Sequence, residues 1–194
     1  KYYKRSTDGG INWEPDKRLT NNFGISYTTS ISVSGSDMYF VWDDDRDGNF
    51  DIYYKHSPDG GGTWESDWRL TNNSATQFFP SVSVSGSDVY VAWEDHRDGI
   101  EKIYYKHSTD GGITWSADTR LTNNDSKSHS PMLTVSGSDV FVVWNDDRDG
   151  NFEIYYKHSV DGGVNWGQDT RLTNSVFSGS PCISISGSNV HVVY

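Results

Sequence analysis

The sequence predicts an all-β fold, a β-propeller of four blades with four strands each. One observation is a repeat: an eight-residue stretch recurs every 51 residues and begins at Ser6, Ser57, Ser108 and Ser159. The other is composition, since 14% of residues are aromatic, 19 are Gly, and no segment carries the apolar stripe of a helix. Periods of this length are typical of stacked repeats, and four antiparallel strands per repeat make a propeller blade.

Each repeat contains four strand-like segments, shown here for residues 78–124. The first alternates polar and apolar side chains, as expected for a half-buried strand, and a Gly-Ser-Asp turn follows it. The second is apolar on both faces, which indicates a central buried strand. A polar loop separates it from the third. The four segments are residues 80–85, 89–93, 102–107 and 119–122.

The repeats predict one domain spanning residues 1–194, with three blades formed by residues 27–73, 78–124 and 129–174. The fourth blade is assembled from both ends, with residues 181–194 as its first two strands and residues 1–22 as its last two. This pairing would close the ring in a monomer. The alternatives are a head-to-tail dimer with eight blades and a larger repeat array. Because the sequence starts inside a repeat and without Met, we expect a processed or excised piece of a longer protein.

Charge and hydropathy exclude several classes of partner. The net charge of −11 disfavours the phosphate backbone of nucleic acids and anionic membrane surfaces. No apolar run is long enough for membrane insertion. Cys182 is the single cysteine, so no intramolecular disulfide is expected, and its position on an inner strand predicts a buried small apolar residue.

The recurring stretch is typical of a turn that is stabilised by its own side chains. Two glycines permit positive φ, an Asp bonds the turn backbone, and a Trp covers it. The pattern resembles the Asp-box, Ser-x-Asp-x-Gly-x-Thr-Trp, of the BNR repeat (sialidase-like) propellers. This resemblance implies a structural element between the third and fourth strands, away from any active site. The matching residues are Ser6, Asp8, Gly10, Trp13, Ser57, Asp59, Gly61, Trp64, Ser108, Asp110, Gly112, Trp115, Ser159, Asp161, Gly163 and Trp166.

The same resemblance raises the question of catalysis. It implies three arginines that clamp a carboxylate, a Tyr–Glu nucleophile pair and an Asp acid. Here the arginines recur in one slot per repeat, whereas an active site needs different residues converging on one point. We therefore expect no catalytic residues, and a non-catalytic extracellular or cell-surface module that binds a glycan or protein ligand, with carbohydrate favoured. The alternatives are a sialidase-like glycoside hydrolase and a purely structural surface-protein repeat.

The loop between the second and third strands is the most charged feature and is the candidate binding face. An ion-pair network within each loop is the plainer interpretation. Its recurring residues are Asp44, Arg46, Asp47, Asp95, Arg97, Asp98, Asp146, Arg148 and Asp149. No cofactor is required by the pattern, but alternating acids before a glycine are also typical of Ca²⁺ loops. The candidate ligands are Asp43, Asp45 and Asp47 in one loop and Asn145, Asp147 and Asp149 in another.

Trp68 departs from the repeat, because its slot holds Lys17, Thr119 and Thr170 elsewhere. It is either an ordinary exposed apolar residue or a platform on which a sugar ring stacks.

Overall fold

The computed structural model describes residues 1–174 and 179–194, and the regular elements in these ranges are strands. Three sheets have four strands each and are here called the first, second and third blades. The first blade contains β3 (Thr29–Ser34), β4 (Asp37–Asp44), β5 (Asp51–Ser57) and β6 (Trp68–Arg69). The second contains β7 (Gln77–Ser85), β8 (Asp88–Asp95), β9 (Lys102–Ser108) and β10 (Thr119–Arg120). The third contains β11 (Ser128–Ser136), β12 (Asp139–Asp146), β13 (Glu153–Ser159) and β14 (Thr170–Arg171).

The remaining strands form two short pairs at the chain ends. The N-terminal pair is β1 (Tyr2–Tyr3) with β2 (Lys17–Arg18), and the C-terminal pair is β15 (Cys182–Ser186) with β16 (Asn189–Val193). All pairings are antiparallel between neighbours in sequence, so each blade is a simple meander. In the described part of the chain, no helix is long and apolar enough to cross a bilayer.

The first strands of successive blades, β3, β7, β11 and β15, lie side by side in that order. They are therefore the inner strands of a propeller-like arc. The all-β, propeller-like class is as the sequence predicts. The expected pairing of residues 181–194 with residues 1–22 is not formed among the described residues, where the terminal pairs are separate two-stranded sheets. The sequence pattern shows that the edge strands of the two terminal pairs could form hydrogen bonds with each other. Whether they do so depends on the angle between successive blades, which the pattern does not contain.

Cys182 differs from expectation for the same reason. It is exposed, whereas its repeat counterpart Ser81 is buried under a neighbouring blade. The C-terminal pair ends the described arc and has no such cover on that side. Position in the repeat sets the direction of a side chain, and the presence of a neighbour sets its burial.

The apolar core lies between blades. One cluster joins Val41 and Tyr54 of the first blade to Val91 and Trp93 of the second, and an equivalent cluster joins the second blade to the third. Trp93 is completely buried there. Because both faces of a blade need covering, no single blade would be stable alone.

The Asp-boxes fasten these interfaces as well as their own turns. Within one box, the Ser108 hydroxyl accepts the Gly112 N–H at 2.8 Å, and Asp110 accepts the Thr114 N–H at 2.8 Å. The Trp115 ring then packs edge-on against Tyr54 of the preceding blade, with ring centroids 5.3 Å apart. Equivalent pairs join Trp64 to Tyr3 and Trp166 to Tyr105.

Candidate active site on the loop face

The blades present two opposite faces. The turns between first and second strands and the Asp-boxes lie at one end, here the Asp-box face. The loops between second and third strands, and the segments that return to the next inner strand, lie at the other end, here the loop face. This follows from the meander, since consecutive hairpin turns alternate between the ends of a sheet.

The recurring Asp and Arg side chains of the loop face form hydrogen bonds and ion pairs with other residues of the protein. Asp44 is fully buried and accepts the Trp42 indole N–H at 3.0 Å and two hydrogen bonds from the Arg46 guanidinium. Burial would raise the pKa of Asp44, but these hydrogen bonds outweigh it and hold the pKa below its usual value. Arg46 also pairs with Asp67 at 2.6 Å. The pairs Asp95–Arg97 and Asp146–Arg148 repeat this arrangement.

The second aspartate of each loop, which follows the arginine, also forms a hydrogen bond within the protein. Asp98 accepts the Tyr104 hydroxyl at 2.8 Å, and Asp47 and Asp149 accept those of Tyr53 and Tyr155. Burial, followed by this contact, raises the pKa of Tyr104 to about 12. The nine residues predicted as a binding face thus take part in networks that hold each loop to its blade. Their recognition of an external ligand stays a prediction.

The proposed calcium ligands diverge. Asp43 accepts the backbone N–H groups of Tyr27 and Thr28, whereas Asp45 accepts that of Ile25 and Asp147 that of Lys127. Within residues 1–174 and 179–194, no three His, Cys, Asp or Glu side chains form a group suited to a metal ion. Calcium binding therefore remains a prediction that these contacts do not support.

Glu94 marks a different kind of position, where the repeat is broken. Its slot at the end of the second strand holds Asp43 in the first blade and Asn145 in the third. Glu94 is 3% exposed. Its Oε1 lies 3.0 Å from His96 Nε2, and its Oε2 lies 3.2 Å from His129 Nδ1. Because His129 belongs to β11, this carboxylate joins the second and third blades.

A strained inner strand positions the partners of Glu94. Ser130 has φ +51°, in the left-handed region that non-glycine residues seldom adopt, and its N–H donates to Glu94 Oε2 at 3.2 Å. A register shift between His129 and Met132 accompanies it. Phe79 and Ser180 share this conformation, and all three precede a proline. Such strain is concentrated at functional sites in proteins.

A cavity of about 410 Å³ opens beside this cluster. The Phe152 ring meets His129 edge-on at 5.3 Å. Asn145 Oδ1 is buried and has no hydrogen-bond partner among the described residues. Apolar rings with a few convergent polar groups are typical of small-molecule sites of this size. The lining residues are Phe79, His129, Ser130, Asn145, Phe152, Gly179 and Ser180.

Glu94 and His129 also couple electrostatically. The hydrogen bond to Glu94 raises the pKa of His129 and outweighs the opposing effect of burial. Three groups meet at the Glu94 carboxylate, namely the His96 and His129 rings and the Ser130 N–H. The cluster therefore places a buried carboxylate against an imidazole whose pKa is raised, and that imidazole lines the cavity.

Glu94, His96 and His129 are not among the site residues predicted from the sequence, because those predictions weight residues that recur. The signal was present as departures from the repeat: His96 replaces Asp45 and Asp147, and His129 replaces Tyr27 and Phe78. A site for one ligand at the centre of a repeat protein needs differences between repeats, whereas the recurring residues build the scaffold.

The fold and its boxes define the class as an Asp-box propeller scaffold with a buried carboxylate at the loop face. The BNR repeat-like domain family matches residues 1–192, and the chain belongs to that family. The predicted membership is thus confirmed. No curated protein matches the chain significantly.

Among solved structures, the chain is similar to the GH93 α-L-arabinofuranosidase of Fusarium graminearum in complex with arabinobiose, at 19% identity and a TM-score of 0.71. It is also similar to the α-L-arabinanase of Penicillium chrysogenum with arabinobiose, at 18% identity and a TM-score of 0.69. In both cases 99% of this chain covers 66% of the other. Trypanosoma rangeli sialidase follows at 14% identity and a TM-score of 0.63, with 86% of this chain on 33% of that one. The chain thus spans about two thirds of the GH93 chains and a third of the sialidase.

These neighbours overturn one expectation from the sequence. The chain was expected to be a non-catalytic module without enzyme activity, yet the similar solved structures named above are an arabinofuranosidase, an arabinanase and a sialidase. The expectation was wrong because it tested the sequence only for sialidase residues and treated repetition as evidence against any catalytic centre.

Proposed function

We propose that this chain carries the active site of a glycoside hydrolase acting on neutral furanosides of the arabino-oligosaccharide type. One observation carries the proposal: Glu94 is a buried carboxylate, held by His129 across two blades, beside a cavity on the loop face. The arabinan-cleaving neighbours support this choice of substrate, since their fold matches almost the whole chain.

Glycoside hydrolysis uses two carboxyl groups at the scissile bond, one of them ionised. We assign Glu94 as one of the two, because contacts with His96, His129 and the Ser130 N–H hold its carboxylate in one orientation. His129 lines the cavity and lies 3.2 Å from Glu94, so it positions that carboxylate beside the sugar.

Charge favours a neutral sugar over a sialoside. A sialic acid carboxylate is bound well by free arginine forks. Here Arg46, Arg97 and Arg148 each already pair with two Asp carboxylates. With a net charge of −11, the chain disfavours anionic ligands in general.

Hydrolysis of p-nitrophenyl α-L-arabinofuranoside, linear arabino-oligosaccharides and a fluorogenic sialoside tests the proposal. We expect turnover of the arabinosides, and a loss of about 100-fold or more in kcat/KM for Glu94→Gln. Glu14→Gln, at the Asp-box end of the N-terminal pair and paired with Arg5, is the matched control and should retain full rate. No turnover of the arabinosides by the unaltered protein, or full activity in Glu94→Gln, would contradict the assignment.

We propose that the protein acts outside the cell, where polymeric arabinan would be met.

We also propose that the terminal strands complete a further blade. β16 takes the place of a second strand and β1 that of a third, and these two strands pair in each of the three four-stranded blades. Pairing of their edges, within one chain or between two copies, would supply the missing blade. Native mass spectrometry distinguishes the outcomes: one chain supports a four-bladed closure, and two chains support the eight-bladed ring.

A further inference from the structure

A groove of about 690 Å³ lies on the Asp-box face, between the first and second blades and on the opposite side from Glu94. Trp68 of β6 lines it from the first blade, and Ile113 of the Asp-box lines it from the second. Tyr39 and His56 also line it. Its volume is in the range of ligand-binding clefts.

Trp68 is 60% exposed, although neighbouring blades bury most large aromatic side chains of the core. Thr119 and Thr170 occupy its slot in the other two blades, so neither strand pairing nor packing requires an indole there. Exposed indole faces in clefts stack on the apolar faces of sugar rings, where a large rigid surface is offered at little entropic cost.

Two carboxylates line the same groove and contact His56. His56 Nε2 lies 2.9 Å from Asp37 Oδ1, and His56 Nδ1 lies 3.3 Å from Glu65 Oε1. The imidazole also stacks on Tyr39, with ring centroids 5.0 Å apart. Asp37 and Glu65 remain 43% and 61% exposed at their side chains, so they can accept further hydrogen bonds from ligand hydroxyl groups.

We propose that this groove is a second carbohydrate site, which binds a neutral polysaccharide chain through stacking on Trp68 and hydroxyl contacts to Asp37 and Glu65. The choice of arabinan as its ligand rests on the proposed function. The same carboxylates repel uronic or sialic acid units, so the ligand is neutral. Held there, a polymer stays close to the protein while a chain end reaches the loop face.

The equivalent groove between the second and third blades is an internal comparison. It is smaller, about 420 Å³, and is lined by Asp88, Tyr90, His107 and Val164 among others. The slots of Glu65 and Trp68 hold Ser116 and Thr119 there. It therefore keeps the histidine and the counterpart of Asp37 but lacks the counterparts of Glu65 and Trp68, and we assign no binding to it.

Affinity electrophoresis in gels containing debranched arabinan tests the groove. We expect the unaltered protein to be retarded, and Trp68→Thr to bind at least about tenfold more weakly, the loss expected when one stacking aromatic is removed. Threonine is the residue of the other blades, so the variant should fold, and thermal melting checks this. Glu65→Ser should weaken retardation less, and Val164→Thr in the second groove should not change it.

Retardation of Trp68→Thr equal to that of the unaltered protein would overturn the proposal, as would no retardation of the unaltered protein. Hydrolysis of the short arabinoside separates this result from the proposed function. Trp68→Thr should hydrolyse it at the normal rate, and Glu94→Gln should be retarded normally. If the unaltered protein binds arabinan through Trp68 but hydrolyses nothing, the groove stands and the hydrolase assignment fails.

Discussion

Glu94 of the second blade and His129 of the third approach to 3.2 Å across the blade interface. Neither residue has a counterpart of the same type in the other blades. The proposed catalytic group and its positioning histidine are therefore residues that differ between repeats, whereas the recurring residues form the scaffold.

The pair should make stability depend on pH. The contact with Glu94 raises the pKa of His129 above its ordinary 6.5. A raised folded-state pKa stabilises the protein fully below the unfolded pKa, and this contribution is lost as pH rises through the folded value. The difference in free energy of unfolding between the unaltered protein and His129→Gln should be largest below 6.5 and shrink above it. Urea denaturation at a series of pH values measures it, and a difference independent of pH would contradict the assignment.

The Asp-boxes should have the opposite dependence. Hydrogen bonds from Thr114, followed by that from Ser108, lower the pKa of Asp110 from 3.8 to about 2. A depressed pKa stabilises the fold above the unfolded value, and this contribution disappears as pH falls through the folded value. We expect Asp110→Asn to lower Tm at neutral pH, with the gap to the unaltered protein closing as pH approaches 2. Asp161→Asn is a replicate in the next blade, and a constant gap in both variants would refute the explanation.

Gly112 should tolerate no side chain. It has φ +87°, and a Cβ would lie 2.1 Å from the Tyr54 hydroxyl oxygen of the preceding blade. Gly112→Ala should cost about 2 kcal/mol or more in free energy of unfolding, from overpacking added to backbone strain. Gly111→Ala is the control, since its φ is +72° but the nearest atom is 3.7 Å away. Adding Tyr54→Phe should recover part of the loss in Gly112→Ala, because it removes the clashing oxygen. An equal effect of the two glycine variants would argue against the contact.

The contribution of each Asp-box tryptophan to the free energy of unfolding should depend on whether a preceding blade packs against it. Trp115 packs on Tyr54, whereas Trp13 is 59% exposed and has no preceding blade in the described structure. Trp115→Ala should destabilise the protein by roughly 2–3 kcal/mol, somewhat less than for a fully buried tryptophan. Trp13→Ala should cost under about 1 kcal/mol. Chemical denaturation compares them. Similar losses would mean that the indole stabilises its own turn and not the interface.

Much of the scaffold was predictable because its causes are local. The 51-residue period, the alternation in the inner strands and the Gly-rich turns specify strands, hairpins and Asp-boxes directly. Each of these depends on residues a few positions apart. The prediction that Trp68 departs from its repeat is of the same kind, since it needs only an alignment of the chain with itself.

The candidate site depends on distances that no repeat alignment contains. Glu94 and His129 are 35 residues apart and meet only because adjacent blades pack at a particular angle. That angle also brings Trp68 and Ile113 to one groove and leaves the terminal pairs unjoined. The sequence by itself determined the strands, the turns and the family of the chain. The tertiary structure decided which unrepeated residues converge, because interfaces between blades are set by the packing of their faces and not by the pattern within one repeat.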